Sequence, residues 1–421
     1  MTSSRDSDVL VRSETAQSFF GWLDYDERDA QRMREVFAAF DDKDTVDSLG
    51  LGVIRDSISD QLFPGISTIQ TRARYFLFVP WVCQILEAER VSPPRFAARL
   101  RELEVALIES LRQVEGPNRG VIGYRARKRL TRLPSTVYWN GLGTFGIRRL
   151  GLSTAEYRSF VVRYGDLRAS VQVDDDGELI TGQPRMWDQL PPAPEGFPDQ
   201  PISLRLTQEE AEYLAGRFMT ARPESMIAEL ARDLTIDRGA PMPWEVQLPG
   251  VPPRLAEVLR HAQNFSELME GAQALYNLLL ARRAEQVLGH DHSDLIEELA
   301  GELVEWATTM SARRTELATW MASEEFWFLI ERATRVPTPT RRFVLAWSEI
   351  ALNRPDAVAE DADAALLVTE RERRLKGKLA RLTEPRALEN WNGDPFSVGQ
   401  MTFRWANARQ ILDDLDDFEE P

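Results

Sequence analysis

The sequence is poor in the residues on which several classes of protein depend. Its 421 residues include one cysteine, Cys83, which excludes an internal disulfide framework and favours a reducing compartment such as the cytoplasm. The first residues, MTSSRDSDVLVRSE, lack the apolar core of a signal peptide. The most apolar run, YFLFVPWVCQIL at 75–86, is shorter than the roughly 18 residues that a membrane span needs. We therefore expect a soluble cytoplasmic protein that does not contact a membrane.

Signatures of catalysis are equally scarce. We find no Walker loop, Rossmann glycine pattern, nucleophile elbow or zinc-type pair of cysteines, so no cofactor is predicted. Two of the three histidines, His290 and His292, lie in GHDHSD, whose spacing is compatible with a metal ion but is more often ordinary polar sequence. The carboxylates of FDDKD at 40–44 follow a predicted helix rather than the strand and loop that a metal-dependent nuclease uses. A cryptic metal-dependent hydrolase that uses Asp41, Asp42 or the His290 loop remains an alternative.

What the sequence does contain is helical patterning. Hydrophobic residues make up 43% of the chain, and eleven tryptophans and nineteen phenylalanines predict substantial aromatic packing. Apolar residues recur at helical spacing in many segments, at 27–40, 47–63, 95–113, 259–286, 293–320, 323–334, 340–352 and 358–382. The pattern predicts a mainly α, multi-helical fold. The Asp-Gly turn in VDDDGEL at 173–179 adds a short β-hairpin in the N-terminal half.

Two proline-rich stretches indicate where the chain divides, because proline lacks a backbone donor and disfavours helix before it. Six prolines lie within 184–201, and a second break spans 241–253, with a capping box at 207–210 between them. We predict five segments: a disordered tail at 1–15, an N-terminal helical domain at 16–183, a proline-rich connector with a short helix at 184–253, a C-terminal helical domain at 254–412 and an acidic tail at 413–421.

The stretch LFPGISTIQTRARYFLFVPW at 62–81 looks like a loop that feeds an apolar helix. Ser67 and Gln70 match a capping box, so the helix is predicted to begin near Thr68. Pro80 is expected to kink or end this helix. Because a helix N-terminus attracts anions, the amides near Ser67 and Thr68 are a candidate anion site.

Two arginines, Arg72 and Arg74, interrupt this apolar helix. They lie about 200° apart around a helix and therefore cannot clamp one phosphate together. Arg72 is predicted to be the buried one, at the edge of the apolar face. A buried guanidinium needs a partner, since removal of one member of a buried pair costs about 3–5 kcal/mol. The candidate partners are Asp24, Asp56 and Asp60. We favour a structural role for these arginines over anion binding.

Charge is distributed unevenly along the chain. The net charge is −16, yet residues 112–168 hold twelve Lys and Arg against three acidic residues, a local net of +9. Such a block can form a binding face for a polyanion, or its charges can be matched by acids elsewhere in the fold. A second block at 371–386 has a local net of +5, and there we favour matched charges.

The first basic block surrounds a predicted helix-turn-helix. Pro134 and Ser135 open one helix, with Ser135 as its cap, Gly146 ends it, and Ser153 with Glu156 caps the next. With the hairpin shortly after, this order is compatible with a winged helix-turn-helix, which places a helix in the major groove of DNA. The predicted nucleic-acid-binding residues are Arg119, Arg125, Arg127, Lys128, Arg129, Arg132, Arg148 and Arg149.

Several sequence boxes together resemble an uncharacterised bacterial family, a domain of unknown function. The boxes are GWLDY at 21–25, IRDSISDQLFPGISTIQTRARYFLFVPW at 54–81, RLPSTVYWNGLGTFGI at 132–147, NFSELMEGAQALYNLLLA at 264–281, and LKGKLARL, ALENWNG and FRW between 375 and 405. Members of that family tend to occur in anti-phage defence loci, near helicases and phospholipase-D-like nucleases. The resemblance implies an accessory role in anti-phage defence, and no settled activity comes with it.

We therefore expect a non-catalytic accessory subunit of an anti-phage system that binds DNA, or a DNA-processing partner, through the basic face at 119–149. Duplex DNA is the expected nucleic acid, and a helicase or a phospholipase-D-like nuclease is the expected protein partner. The alternative is a protein-interaction scaffold that docks such a partner without touching DNA, because its acidic surface keeps it off nucleic acid.

Overall fold

Helices make up the regular structure of the chain from Asp47 onward. The computed structural model describes residues 47–169, 185–397 and 399–418, and these ranges contain no β-strand. The α-helices are α1 Gly52–Leu62, α2 Tyr75–Ala88, α3 Pro93–Val114, α4 Pro134–Thr144, α5 Thr154–Ala169, α6 Gln208–Ala221, α7 Met226–Arg232, α8 Pro253–Leu288, α9 Ser293–Ala322, α10 Glu325–Glu331, α11 Thr338–Asn353, α12 Ala362–Lys376, α13 Pro385–Leu388 and α14 Trp405–Asp416. The prediction of a mainly α, multi-helical fold is confirmed.

Several predicted features lie outside the described residues: the tail at 1–15, the helix at 27–40, Asp41 and Asp42, and the hairpin at 171–180. The predicted winged helix-turn-helix therefore has its two helices, α4 and α5, but no described strand to serve as a wing. Contacts group residues 47–421 into one unit. No helix within the described ranges combines the length and the apolar character that crossing a membrane demands.

The longest helix, α8, forms the centre of the C-terminal half. It begins at Pro253, whose missing N–H suits the first helical turn, and ends before Gly289, which adopts a left-handed φ of 69°. Helix α9 packs alongside, and the Trp306 indole donates to the Glu267 carbonyl at 2.8 Å. A β-carbon at Gly271 would lie 2.3 Å from the Trp306 ring, so the close approach of the two helices requires glycine there.

Helix α2 forms the centre of the N-terminal half. It packs against α3, α4 and α5, and every residue from Tyr75 to Cys83 is buried. Pro80 lies inside this helix, which continues to Ala88 rather than ending at the proline. Burial of apolar side chains all around the helix outweighs the local cost of the one backbone hydrogen bond that proline cannot make.

The start of α2 differs from the prediction. The helix begins at Tyr75 rather than near Thr68, and residues 66–74 form turns and irregular backbone instead. Half of the expected capping box is present, since the Ser67 N–H donates to the Gln70 side chain at 3.2 Å. The other half is missing, because the Ser67 hydroxyl has no hydrogen-bond partner among the described residues. The local signal was therefore real, but it marks a turn and not a helix start.

Side chains from distant parts of the chain explain why this segment is not helical. The Tyr138 hydroxyl accepts from the N–H groups of Thr71 and Arg72 at 2.9 and 3.1 Å. The Asp414 carboxylate accepts from the Ala73 N–H at 2.7 Å. These three donors are satisfied without helical bonds, so tertiary contacts replace the first turns that the local sequence predicts.

The proline-rich connector packs onto the N-terminal helices. The Trp81 indole donates to the Pro191 carbonyl at 3.0 Å, and the Phe197 ring lies 5.4 Å from that indole. The capping box predicted at 207–210 is present and opens α6. At the other end of the chain, α14 continues to Asp416, so part of the predicted acidic tail is helix.

Candidate nucleic-acid interface

Six exposed cations of the first basic block lie in one segment between α3 and α4. We call residues 115–133 the basic loop; a 3-10 turn, Arg127–Arg129, is its one regular element. The loop ends where Pro134 opens α4. Ser135, the predicted cap, instead lies inside α4, where its N–H and hydroxyl lie 2.6 and 3.1 Å from the two oxygens of the Glu104 carboxyl group.

The front of the basic loop is held through its backbone. The Thr71 hydroxyl donates to the Gly120 carbonyl at 2.6 Å, and Nη1 of Arg72 donates to the Arg119 carbonyl at 2.9 Å. Gly120 adopts a φ of 91°, and a β-carbon there would lie 2.7 Å from the Arg72 side chain. Glycine is therefore required at this position, and the path of the loop past Arg72 is fixed.

The rest of the loop is held in the same way. The Ile122 N–H donates to the Tyr75 hydroxyl at 2.9 Å. Nη2 of Arg101, on α3, donates to the carbonyls of Lys128 and Leu130 at 2.6 and 2.8 Å. Because these bonds use backbone groups of the loop, they fix its path without engaging its cationic side chains.

Most of the cations of the loop are exposed and take part in no ion pair with a described residue. They are Arg119, Arg125, Lys128, Arg129 and Arg132. Of these, Arg125 bonds the Asn118 side chain at 3.4 Å. Arg127 is also exposed, but its Nε lies 3.2 Å from the Glu109 carboxylate. The loop thus presents five cations whose charge the described part of the fold does not neutralise directly.

Arg148 and Arg149, the two remaining predicted contacts, are engaged within the fold. The Arg148 guanidinium donates to the Leu152 carbonyl at 3.0 Å and lies 5.0 Å from the centre of the Trp139 ring. Burial lowers the pKa of Arg148. Arg149 pairs with Asp188, although its side chain is 56% exposed. The candidate DNA-contacting residues are therefore those of the basic loop, without Arg148 and Arg149.

The two helices after the loop use their aromatic side chains in the core. Ser153 and Glu156 form the predicted capping box at the start of α5, with bonds of 2.8 and 3.2 Å. Trp139 of α4 and Tyr157 of α5 pack with their ring centres 5.3 Å apart. Tyr157 is 1% exposed, so this ring is not available for stacking on a base.

Arg74 is the more buried of the two arginines before α2. Its side chain is 5% exposed, against 15% for Arg72. Its Nη2 donates to the Glu210 carboxylate and its Nη1 to the Ser203 carbonyl, both at 2.8 Å. The prediction that Arg72 is the buried one is wrong, because it assumed helical geometry for a segment that forms turns.

The partner of Arg72 is also not the one that the sequence suggested. Nε of Arg72 donates to both carboxylate oxygens of Asp414 in α14, at 2.8 and 2.9 Å. Asp60, one expected partner, is instead bonded by Nη1 of Arg404 at 2.5 Å. Asp56 lies 3.5 Å from Nη2 of the same arginine, and Asp24 lies outside the described residues. A partner 342 positions away leaves no local sequence signal.

The expected anion site at Ser67 and Thr68 has no helix N-terminus behind it, because α2 begins later. The Thr68 carbonyl accepts from the Asn407 side chain of α14 at 3.1 Å. Both nearby arginines are paired with carboxylates. This segment therefore joins α14 to the N-terminal half.

The second basic block, at 371–386, is partly matched within the fold. Arg371 is buried and donates to the Leu49 carbonyl at 2.7 Å. Lys376 lies 3.1 Å from the buried Glu372 carboxylate. These contacts agree with the interpretation of matched charges, and they leave the basic loop as the stronger candidate interface.

No group of three or more His, Cys, Asp or Glu side chains in the described ranges is arranged to hold a metal ion. In the His290 loop, the Asp291 carboxylate accepts from the N–H and hydroxyl of Ser293 at 3.1 and 2.8 Å. The His292 ring lies 5.0 Å from the Trp391 ring. These are turn and packing contacts.

Sequence reasoning missed the residues that shape the basic loop: Thr71, Tyr75 and Arg101. Each acts on a backbone amide or carbonyl of the loop from a separate part of the chain. Such contacts leave no pattern in the loop sequence itself. The one available signal is that Thr71 and Tyr75 fall within the box at 54–81.

Comparison with family models gives a match over nearly the whole chain. A family model described as "Family of unknown function (DUF6361)" matches residues 17–419. No curated protein and no solved structure matches the chain.

Proposed function

The chain belongs to the DUF6361 family of unknown function, and we propose that it binds DNA by contacting phosphates with the basic loop. The observation that carries this proposal is a set of five exposed cations on one loop, none of them in an ion pair with a described residue, in a protein whose net charge is −16. A polyanion is the complementary partner for such a set.

The contrast with neighbouring arginines supports a binding role. Arg72, Arg74 and Arg149 all pair with carboxylates, so this region of the fold neutralises the cations that it needs for stability. Five cations of the basic loop receive no such partner among the described residues: Arg119, Arg125, Lys128, Arg129 and Arg132. The backbone of the loop is nevertheless fixed by Thr71 and Arg101, so little further ordering is needed when a ligand binds.

The arrangement of the basic loop and of helices α4 and α5 suits contacts with DNA phosphates better than contacts with base edges. Helices α4 and α5 direct aromatic side chains into the core, and the residues predicted to form a wing lie outside the described ranges. Arginine and lysine side chains on a loop suit the phosphate backbone, which gives affinity and position but little sequence preference. We therefore propose binding that depends weakly on sequence and strongly on salt.

The test is a titration of fluorescent 30-base-pair duplex DNA at several salt concentrations between 50 and 200 mM. If five phosphates are neutralised, log Kd should change with log salt with a slope of about 4–5, which is roughly 500-fold over this range. Replacing Arg125, Lys128 and Arg129 with Glu should abolish binding at 100 mM salt. Single-stranded DNA should bind more weakly, because it carries fewer phosphates per unit length.

A matched control separates the basic loop from net charge. Arg335, Lys378 and Arg386 are exposed, lie outside the basic loop and take part in no ion pair with a described residue. Their replacement with Glu changes the net charge by the same amount and should leave DNA binding nearly unchanged. Absence of binding at 50 mM salt, or equal losses for the two triple variants, would contradict the proposal.

The wider biological role rests on the resemblance to a family whose members tend to occur in defence loci. We propose a non-catalytic accessory subunit that acts in the cytoplasm and brings DNA to a helicase or a phospholipase-D-like nuclease. A scaffold that binds such a partner without DNA is the alternative. Co-purification of a partner that survives nuclease treatment, from a protein with no DNA affinity, would favour the scaffold.

A further inference from the structure

A second feature of the chain lies at the other end of α4 from the basic loop. It is a cleft of about 690 Å³, lined by the ends of α1, α4, α6 and α10 and the start of α8. Pro64 and Gly65 from the box at 54–81 and Asn140 and Thr144 from the box at 132–147 line the same cleft. Helix α4 separates the cleft from the basic loop by roughly 15 Å, at 1.5 Å per residue.

Three arginines line this cleft from three different elements. Arg222 follows α6, Arg254 opens α8, and Arg332 follows α10. Arg222 and Arg332 are exposed and take part in no ion pair with a described residue, while Arg332 lies 4.4 Å from the Phe328 ring. Arg254 lies 3.3 Å from Glu224, and both side chains are more than half exposed, so this pair is easily separated.

The acidic side chains of the cleft are engaged. Asp60 is bonded by Arg404, which does not line the cleft, and Glu224 is paired with Arg254. Two guanidinium groups therefore remain without a carboxylate partner in the described ranges. The local field at the cleft favours an anion over a cation.

Apolar side chains form part of the inner surface of the cleft. Val258 and Leu329 line it and are 3% and 4% exposed. Pro64 is buried and also lines it. The exposed Asn140 side chain makes no hydrogen bond with a described residue. The cleft thus combines an apolar floor, a free amide and a cationic rim, which is the usual make-up of a small-molecule site.

From this geometry we infer that the cleft binds a small organic phosphate of the nucleoside di- or triphosphate class. The phosphate groups lie against Arg222 and Arg332, whose planar forks match phosphate oxygens, and Arg254 joins them when Glu224 swings away. The ring portion rests on Val258 and Leu329. The volume lies within the range of about 300–1,000 Å³ that is typical of ligand sites. This inference does not depend on DNA binding by the basic loop.

Calorimetric titration of the full chain with ATP, GTP and inorganic tripolyphosphate tests the inference. Saturable binding of ATP or GTP is expected, and the double variant Arg222→Gln, Arg332→Gln should weaken it at least tenfold. Both side chains are exposed and form no ion pair with a described residue, so the variant should keep the thermal stability of the wild type. The double variant Arg335→Gln, Arg386→Gln removes the same charge elsewhere and should retain wild-type affinity.

Tripolyphosphate reports which part of the ligand is recognised. Weaker binding of tripolyphosphate than of ATP supports a ring on the apolar floor, whereas equal binding supports recognition of the phosphates alone and overturns the role of Val258 and Leu329. No binding of any of the three probes at 1 mM, on the order of the weakest affinities expected of a specific site, overturns the inference. Equal losses in the two double variants overturn it as well.

Duplex DNA distinguishes this site from the basic loop. The variant of the basic loop with Arg125, Lys128 and Arg129 replaced by Glu should bind ATP as the wild type does. The cleft variant should bind DNA as the wild type does. If the cleft variant loses DNA affinity and binds no nucleotide, the cleft is part of a DNA contact and the small-ligand inference fails. Failure of the basic loop alone leaves the cleft untouched.

Discussion

Arg72 and Asp414 form an ion pair between the segment before α2 and the C-terminal helix α14, with Nε of the arginine 2.8 and 2.9 Å from the two carboxylate oxygens. The same guanidinium donates from Nη1 to the Arg119 carbonyl of the basic loop at 2.9 Å. Asp414 also accepts from the Ala73 N–H at 2.7 Å. One arginine therefore ties the C-terminal helix to the segment that presents the exposed cations.

The first prediction concerns the stability that this pair contributes. Arg72→Met should lower the free energy of unfolding by about 3–5 kcal/mol, because it leaves the buried Asp414 carboxylate without its partner. Asp414→Asn keeps the acceptor for Ala73 and should cost less. The double variant should lose less free energy of unfolding than the two single variants lose together. The difference, which is the coupling free energy of the pair, should be roughly 1–3 kcal/mol in urea unfolding.

An exposed pair near the same helix serves as the control for this cycle. Arg205 and Asp417 lie 2.8 Å apart, with side chains 46% and 70% exposed. Arg205→Met should change the free energy of unfolding by less than about 1 kcal/mol, since solvent screens the pair. A loss of unfolding free energy as large as that of Arg72→Met would show that removal of any arginine near α14 is destabilising. Burial of the Arg72–Asp414 pair would then not explain the effect.

The second prediction separates the path of the basic loop from its charge. Thr71→Val removes the hydroxyl that donates to the Gly120 carbonyl and changes no charge. DNA affinity should fall several-fold because the loop is less ordered, while the dependence of log Kd on log salt should keep its slope. Fluorescence titration at four salt concentrations measures both quantities.

A second threonine provides the comparison. The Thr220 hydroxyl donates to the Gly216 carbonyl within α6 at 2.8 Å and is exposed. Thr220→Val should leave DNA affinity unchanged. A changed salt slope in Thr71→Val would mean that the number of phosphate contacts depends on this bond, which is contrary to a purely positional role.

The third prediction is a pH dependence of stability from Glu104. Burial raises the pKa of this carboxyl to about 8, although hydrogen bonds from Ser135 lower it. Between the unfolded pKa of about 4.3 and the folded pKa, the folded state holds a proton that the unfolded state releases. The contribution of Glu104 to the free energy of unfolding therefore falls as pH rises through this window and is constant above it.

Glu104→Gln should remove this pH dependence. Gln can still accept from the Ser135 N–H. In urea unfolding between pH 5 and pH 9, the free energy of unfolding of the variant should therefore rise relative to that of the wild type by roughly 3–5 kcal/mol. Glu270, whose pKa burial raises to about 7, supplies a comparison. The free energy of unfolding of Glu270→Gln should rise relative to the wild type only up to about pH 7. A constant difference between Glu104→Gln and the wild type would show that Glu104 is ionised in the fold.

The fourth prediction uses two glycines in helices. A β-carbon at Gly141 of α4 would lie 2.5 Å from the Gly65 carbonyl and 2.8 Å from the Phe76 ring. Because one of these neighbours is backbone and cannot yield, Gly141→Ala should destabilise the protein by roughly 1–3 kcal/mol. In contrast, nothing lies within 4 Å of a β-carbon at Gly216 of α6.

Gly216→Ala should therefore stabilise the protein by about 0.5–1 kcal/mol, through the better helix propensity of alanine. Thermal unfolding of both variants measures the two effects, which should have opposite signs. Equal effects would mean that the close approach of α4 to the turn at Gly65 is not maintained in solution.

Local pattern determined the helices of this protein. The apolar spacing at 95–113 predicts the observed helix Pro93–Val114, and the boxes at Thr207 and Ser153 open α6 and α5 as expected. Periodicity and capping involve residues a few positions apart, so the sequence carries them directly. The excess of cations that became the basic loop is likewise a property of composition that needs no fold to be seen.

Tertiary structure decided how those elements and charges are used. The sequence alone placed the helix start at Thr68, whereas Tyr138 and Asp414 take the N–H groups there and delay it to Tyr75. Which arginines are paired and which stay free depends on carboxylates that fold back from distant positions, as Asp414 does to Arg72. The physical reason is that a buried charge is satisfied by whatever partner is near in space. The local sequence does not determine which distant residues come near.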